Sequence, residues 1–131
     1  MSYELTDTER NAALQLDADY RHDHFISKVT RHGLLWVLKG EKGLLLLESE
    51  GEVCLPLWPH PSYAADWAKD ELADYAPQSI TLPVWLEHWA AGLEKDHVAV
   101  AVFPLPDAAG IVEDASELAD ALQAKLAAEE Q

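Results

Sequence analysis

The residues with the strongest claim to chemistry crowd into one stretch, Leu55-Pro56-Leu57-Trp58-Pro59-His60-Pro61-Ser62-Tyr63-Ala64-Ala65-Asp66-Trp67. It ends a run of strand character, turns on prolines and opens a helical period. Proline fixes φ near −65° and donates no hydrogen bond, so Pro61 suits a first helical position and His60 falls just outside it. His60 then sits beside the free N–H groups of a helix start. The partial positive charge there disfavours a protonated imidazole. His60 is therefore expected to be mostly neutral at pH 7 and to accept a bond from a helix N–H or from a ligand. With Trp58, Tyr63 and Trp67 it can wall a cleft for a peptide or small ligand. The competing reading is a rigid corner, in which the tryptophans fill core and His60 caps the helix. Corners of this composition often serve packing alone, so the number of rings does not decide between them.

No other constellation reaches a catalytic or cofactor motif, and no metal or cofactor is expected. His22 and His24 flank Asp23, but residues two apart on a helix point about 200° away from each other and cannot share an ion. His22 is expected to be half-buried and His24 exposed. Cys54 lies between Val53 and Leu55, where a cysteine behaves as a small apolar residue. A nucleophile there needs a base and a lowered pKa, and His60 is the one local candidate. No serine sits in a Gly-x-Ser-x-Gly elbow. Lys39-Gly40-Glu41-Lys42-Gly43 lacks the length and the following helix of a phosphate loop. Asp66, Asp70 and Asp74, spaced four apart with Glu71 among them, predict one exposed carboxylate stripe. Like charges at that spacing repel by roughly a few tenths of a kcal/mol, which a solvated face tolerates without any function. A docking edge for a basic partner is the other reading.

The elements that position these residues follow from period and punctuation. Thr6-Asp7-Thr8-Glu9 has capping-box form and predicts a helix to about Leu16. Asp17 caps a second helix or continues the first. Phe25, Ile26 and Val29, with Ala18 and His22, share its apolar face, and Gly33 stops it. Leu34–Leu38, Leu44–Leu47 and Val53–Leu57 are apolar runs joined by glycine-bearing turns at 39–43 and 48–51, a pattern that predicts an antiparallel meander. The runs barely alternate, so both faces are expected to be partly covered. After Trp58, Ala64, Trp67, Ala68, Leu72 and Tyr75 recur at helical spacing until Pro77. Gln78–Thr81 is a connector or one short strand. Thr81 caps a further helix with Pro83 in its first turn and an apolar stripe of Trp85, Leu86, Trp89, Ala90 and Leu93.

His97–Phe103 is the clearest strand, with Val98, Val100 and Val102 on one face. Ala99 and Ala101 on the other are expected to admit a closely packed helix of the same chain. Gly110–Val112 has the look of a short edge strand. Asp114 and Glu117 open a last helix carrying Leu118, Leu122 and Leu126, and the tail 129–131 is expected to fray. The expectation is an α+β fold: a mostly antiparallel sheet, with a three-strand meander plus a later strand, packed with about four helices. Trp36, Leu46, Leu57, Trp67, Trp89, Val100 and Val102 are predicted to share its core.

A chain of 131 residues suits one domain, 1–131, with 1–19 as an N-terminal helical extension. No apolar run approaches the roughly 18 residues of a membrane span, and the N-terminus lacks a basic-then-apolar signal pattern. The single cysteine excludes an internal disulfide and fits a reducing compartment, so a cytoplasmic location is expected. A net charge of −15 argues against nucleic acid, since no strong basic patch offsets it. Residues 1–66 hold 11 acidic against 6 basic side chains, and 67–131 hold 13 against 3. A solvated surface accounts for that excess; an acidic face for a basic partner is the sharper alternative.

Phe25-Ile26, Trp36-Val37-Leu38, Leu55-Pro56-Leu57-Trp58-Pro59-His60, Tyr63-Ala64, Trp67-Ala68 and Val100-Ala101-Val102-Phe103-Pro104 together resemble the bacterial domain-of-unknown-function family 2750. The resemblance covers about residues 20–125 and implies a small stand-alone α+β protein, with no activity attached. A fainter similarity of layout links the chain to the enhanced-serine-sensitivity proteins. The first 19 residues lie outside both patterns. The leading expectation is a non-catalytic protein-binding or adaptor module with no catalytic residues. The alternatives are a small-molecule sensor or enzyme using the cleft of Trp58, His60, Tyr63 and Trp67, and an immunity or anti-toxin protein.

Overall fold

The computed structural model describes residues 4–41, 43–49 and 51–129. Lys42 and Glu50 of the two predicted turns, and Glu130 and Gln131 of the predicted fraying tail, lie outside the described residues.

Local signals set the first two helices. The Glu9 N–H donates to Thr6 Oγ1 at 3.1 Å and so caps α1 (Asp7–Leu14). The Glu9 carboxylate turns instead to Lys28 Nζ, 3.3 Å away on the next helix. Asp17 occupies the N-cap position of α2 (Ala18–His32), so the chain breaks between two helices rather than continuing one. Gly33 ends α2 at φ 74, and its N–H donates to Val29 O at 2.8 Å. That left-handed cap is where glycine is favoured. Phe25, Ile26 and Val29 are buried as expected.

The strands are β1 (Leu34–Gly40), β2 (Gly43–Leu44), β3 (Leu47–Ser49), β4 (Glu52–Leu57), β5 (Ala76–Thr81), β6 (Ala99–Val102) and β7 (Ile111–Glu113). They form two sheets, ordered β2-β1-β5 and β3-β4-β6-β7. The predicted three-strand meander does not form. Its middle run splits at Leu45-Leu46, so that β2 pairs with β1 and β3 with β4. Leu45 is drawn inward, its N–H donating to Leu38 O at 2.9 Å, and Leu46 is left 48% exposed instead of joining the core. Four of the five described ladders are antiparallel; β4 and β6 are parallel. Parallel partners need a long crossover, and residues 58–98 supply it. The two sheets meet where Trp36 and Trp58 exchange N–H···O bonds of 2.9 and 3.0 Å.

The whole of β5 pairs with β1, from Leu34 opposite Thr81 to Lys39 opposite Ala76. It is an edge strand, which is why Pro77 is tolerated within it. Reversal into β5 also requires the preceding helix to stop early. α3 is only Pro61–Ala65, and the Trp67 and Ala68 amides bond back three residues, to Ala64 and Ala65. A 3₁₀ turn, Asp70–Leu72, follows, with Asp70 at φ 53. The single helix predicted to reach Tyr75 is therefore absent, and Asp66, Asp70 and Asp74 share no helical stripe.

Thr81 stands at the N-cap of α4 (Leu82–Val84), which runs through a π-helical turn, Trp85–Trp89, into α5 (Ala90–Lys95). α6 (Ala115–Glu129) closes the described chain, and its Ser116 amide donates to Glu94 Oε1 at 2.8 Å. Of the predicted core set, Leu57, Val100 and Val102 are fully buried, while Trp36, Trp67 and Trp89 pack against the core with part of their surface open. Ala99 and Ala101 cluster with Cys54 on the opposite sheet face, packed by Leu47 of β3 rather than by the expected helix. No described helix is long and apolar enough to cross a membrane.

Candidate functional site

The aromatic stretch forms the corner between β4 and α3. His60 is the N-cap of α3, extended at φ −151, and its Nδ1 accepts the Ser62 N–H at 3.0 Å. Its ring keeps part of its surface and meets Tyr63 edge-on at 6.2 Å, where the sequence placed it beside Trp58. Trp58 is 0% exposed and Tyr63 1%. The indole N–H groups of Trp58 and Trp67 both donate to Pro104 O, at 2.9 and 3.1 Å, and their rings lie 6.0 Å apart. One carbonyl has two lone pairs, so it satisfies both. Burial pushes the Tyr63 hydroxyl up to about 12, with the Glu9 carboxylate adding to the shift. The structure thus brings Trp58, His60, Tyr63 and Trp67 together. Only Trp67 and part of His60 remain for another molecule to touch.

The partner of this corner is the segment from Phe103 to Gly110, to which the sequence reading gave no part in the site. Phe103 leaves β6 at φ 52, a left-handed conformation that costs a bulky residue roughly 1–3 kcal/mol. Its N–H donates to Leu57 O at 2.8 Å, and Tyr63 packs against its ring at 4.6 Å. The Arg21 guanidinium holds the turn from below. Its Nε donates to Phe103 O at 3.1 Å, one terminal nitrogen to Leu16 O at 2.6 Å and the other to Ala109 O at 2.7 Å. Burial lowers the Arg21 pKa, against the carboxylates of Asp17 and Asp107. Gly110 closes the loop, since a Cβ there would lie 2.3 Å from Val102 O. The available signal was Arg21 itself, four residues before Phe25 on an apolar face.

Two open grooves flank Trp67. One, of about 670 Å³, runs between Arg10 and Leu14 of α1, Asp66, Asp70, and Leu105 to Asp107. The other, of about 460 Å³, has Cys54, Ala101, Pro104 and Val112 in its walls and Glu48 at its rim. Trp67, Leu105, Pro106 and Asp107 line both. Arg10 fixes the α1 wall by donating to Ser62 Oγ at 3.1 Å and to Asp66 Oδ2 at 2.6 Å, with its guanidinium 5.6 Å above the Tyr63 ring.

Burial raises the Cys54 thiol pKa, helped by Glu52, which is opposite to what a nucleophile needs. His22 Nε2 lies 2.5 Å from Glu113 Oε2, whereas His24 is half-buried against Phe103 at 6.0 Å instead of exposed. Among the described residues no group of three or more His, Cys, Asp or Glu side chains is placed to hold a metal ion. The hydrogen bond to Glu113 raises the His22 pKa against the pull of burial, while burial lowers that of His24. A raised folded-state pKa adds stability that is full below the unfolded value, 6.5, and is lost as pH climbs through the folded one. His22→Ala is therefore expected to lower Tm by more at about pH 5.5 than at about pH 9, with the His24 contribution cancelling between the two proteins. An equal loss at both pH values, read by thermal melts, would show that the pair carries no proton-linked stability.

Among curated proteins no relative matches this chain. Residues 22–122 match the family model described as a protein of unknown function, DUF2750, a span that holds the aromatic corner, the 104–110 loop and both sheets. The chain belongs to the DUF2750 family.

Proposed function

We propose that the protein is a non-catalytic protein-binding module whose contact surface is the pair of grooves around Trp67. One observation carries the reading. The Trp67 indole is pinned through its N–H to Pro104 O, yet its ring stands half-open between two grooves. A pre-positioned, partly exposed tryptophan loses little freedom on binding and is a common anchor of protein contacts. The polar chemistry nearby supports binding over catalysis: the Cys54 thiol is buried with a raised pKa, and His60 spends Nδ1 on the Ser62 amide.

A photo-crosslinking residue tests this in the source cell. Placed at Pro106 or Val112, both of which line the grooves, it is expected to give a discrete protein adduct; placed at Lys125 on α6, it is expected to give none. Adducts of equal yield from all three positions, or from Lys125 alone, would refute the assignment of the surface.

A further inference from the structure

We infer that the segment received by this surface is linear and basic, with an apolar side chain laid on Trp67 and Lys or Arg side chains on either flank. The inference rests on the binding-module reading and specifies its partner. The two grooves share the Trp67, Leu105, Pro106 and Asp107 surface, so they form one continuous face with a ridge along it. A linear segment crossing at Trp67 can lay one side chain on the indole and extend its neighbours before and after it toward the groove on each side.

Charge selects the class of segment. Arg10 is paired with Asp66 at 2.6 Å, which removes both from the balance. Of the remaining charged side chains lining the grooves, Asp70, Asp107 and Glu48 are acidic, and Lys69 is the single basic one. All four are exposed. The chain as a whole carries −15, so its long-range field also draws cationic segments and repels acidic ones. The groove over Cys54 and Ala101 is built inside the family-matched span, whereas Arg10 and Leu14 precede it. The α1 wall is thus the part of the face that lies outside the family match.

Panning a random linear peptide library against the full-length protein tests the inference, with affinities of the enriched peptides measured by fluorescence anisotropy. Peptides with an apolar residue between Lys or Arg residues are expected to be enriched. Their affinity should fall by about tenfold or more in Trp67→Ala, and also in the double variant Asp70→Asn/Asp107→Asn, and it should weaken as salt is raised. Asparagine keeps the left-handed geometry of Asp70 and the shape of both side chains, so that variant, with its fold checked by thermal melt because Asp107 also acts on Arg21, reads the charge of the face even if Trp67→Ala folds poorly. Enriched peptides that need Trp67 but are uncharged or acidic would overturn the basic class and leave the groove standing. Enrichment indifferent to Trp67, or no enrichment at all, would overturn the groove reading together with the inference.

Discussion

Arg21→Met is expected to cost about 3–5 kcal/mol of folding stability, a large share of what a domain this size possesses. The methionine fills much of the same volume but donates nothing. It leaves Phe103 O, Leu16 O and Ala109 O without the guanidinium that now serves all three. A charged hydrogen bond contributes roughly 1.5–3 kcal/mol, and a buried carbonyl left unpaired costs roughly 1–3 kcal/mol. Arg21→Lys should recover little, because one ammonium on a flexible stem cannot reproduce a planar fork aimed at three separate acceptors. Phe103 then also loses a contact that holds its left-handed turn, so the 104–110 loop should loosen first. Urea denaturation gives the stability, and amide exchange of Leu105 and Ala108 gives the loop. A loss below about 1 kcal/mol for Arg21→Met would mean that the three carbonyls do not depend on this side chain.

Trp58→Ala is the second large effect, expected at roughly 3–5 kcal/mol. The side chain is fully buried, its backbone joins the two sheets through Trp36, and its indole uses one lone pair of Pro104 O. Trp67→Ala should cost clearly less, since part of that ring already faces solvent. The two indoles share an acceptor and lie in ring contact, so the double variant should cost measurably more or less than the two single costs added. Equal losses for the two single variants would show that Trp67 is core and not surface.

Several features of the fold were legible because their signals are local. Thr6 with Glu9, Gly33 after Val29, and Pro61 after His60 announce helix ends within a turn of where they act. The apolar face of α2 and the stripe from Trp85 to Leu93 follow from period alone. β5 was not legible. Ala76-Pro77-Gln78-Ser79-Ile80-Thr81 buries only Ile80, and its pairing comes from the ladder offered by β1. Leu44 to Leu47 reads as one strand because nothing in four leucines marks the point where the chain passes from one sheet to the other. The helical period from Ala64 to Tyr75 was real as a pattern but was overridden by the need to turn back into β5.

The candidate site divides in the same way. Proline spacing predicts His60 as a helix cap that accepts a backbone N–H, and it is one. Which ring of Trp58, Tyr63 and Trp67 faces outward depends on a loop more than thirty residues downstream. Pro104 O takes both indoles and the Phe103 ring meets Tyr63, leaving Trp67 at the surface. Arg21 was overlooked for a related reason, since two of its three acceptors lie beyond residue 100.

Crosslinking from Pro106, compared between His60→Ala and Trp67→Ala at matched amounts of folded protein, separates the corner from the groove most directly. The expected result is an adduct that persists in His60→Ala and disappears in Trp67→Ala, because His60 caps α3 while the proposed contact is made by Trp67. An adduct lost in His60→Ala and retained in Trp67→Ala would contradict that assignment.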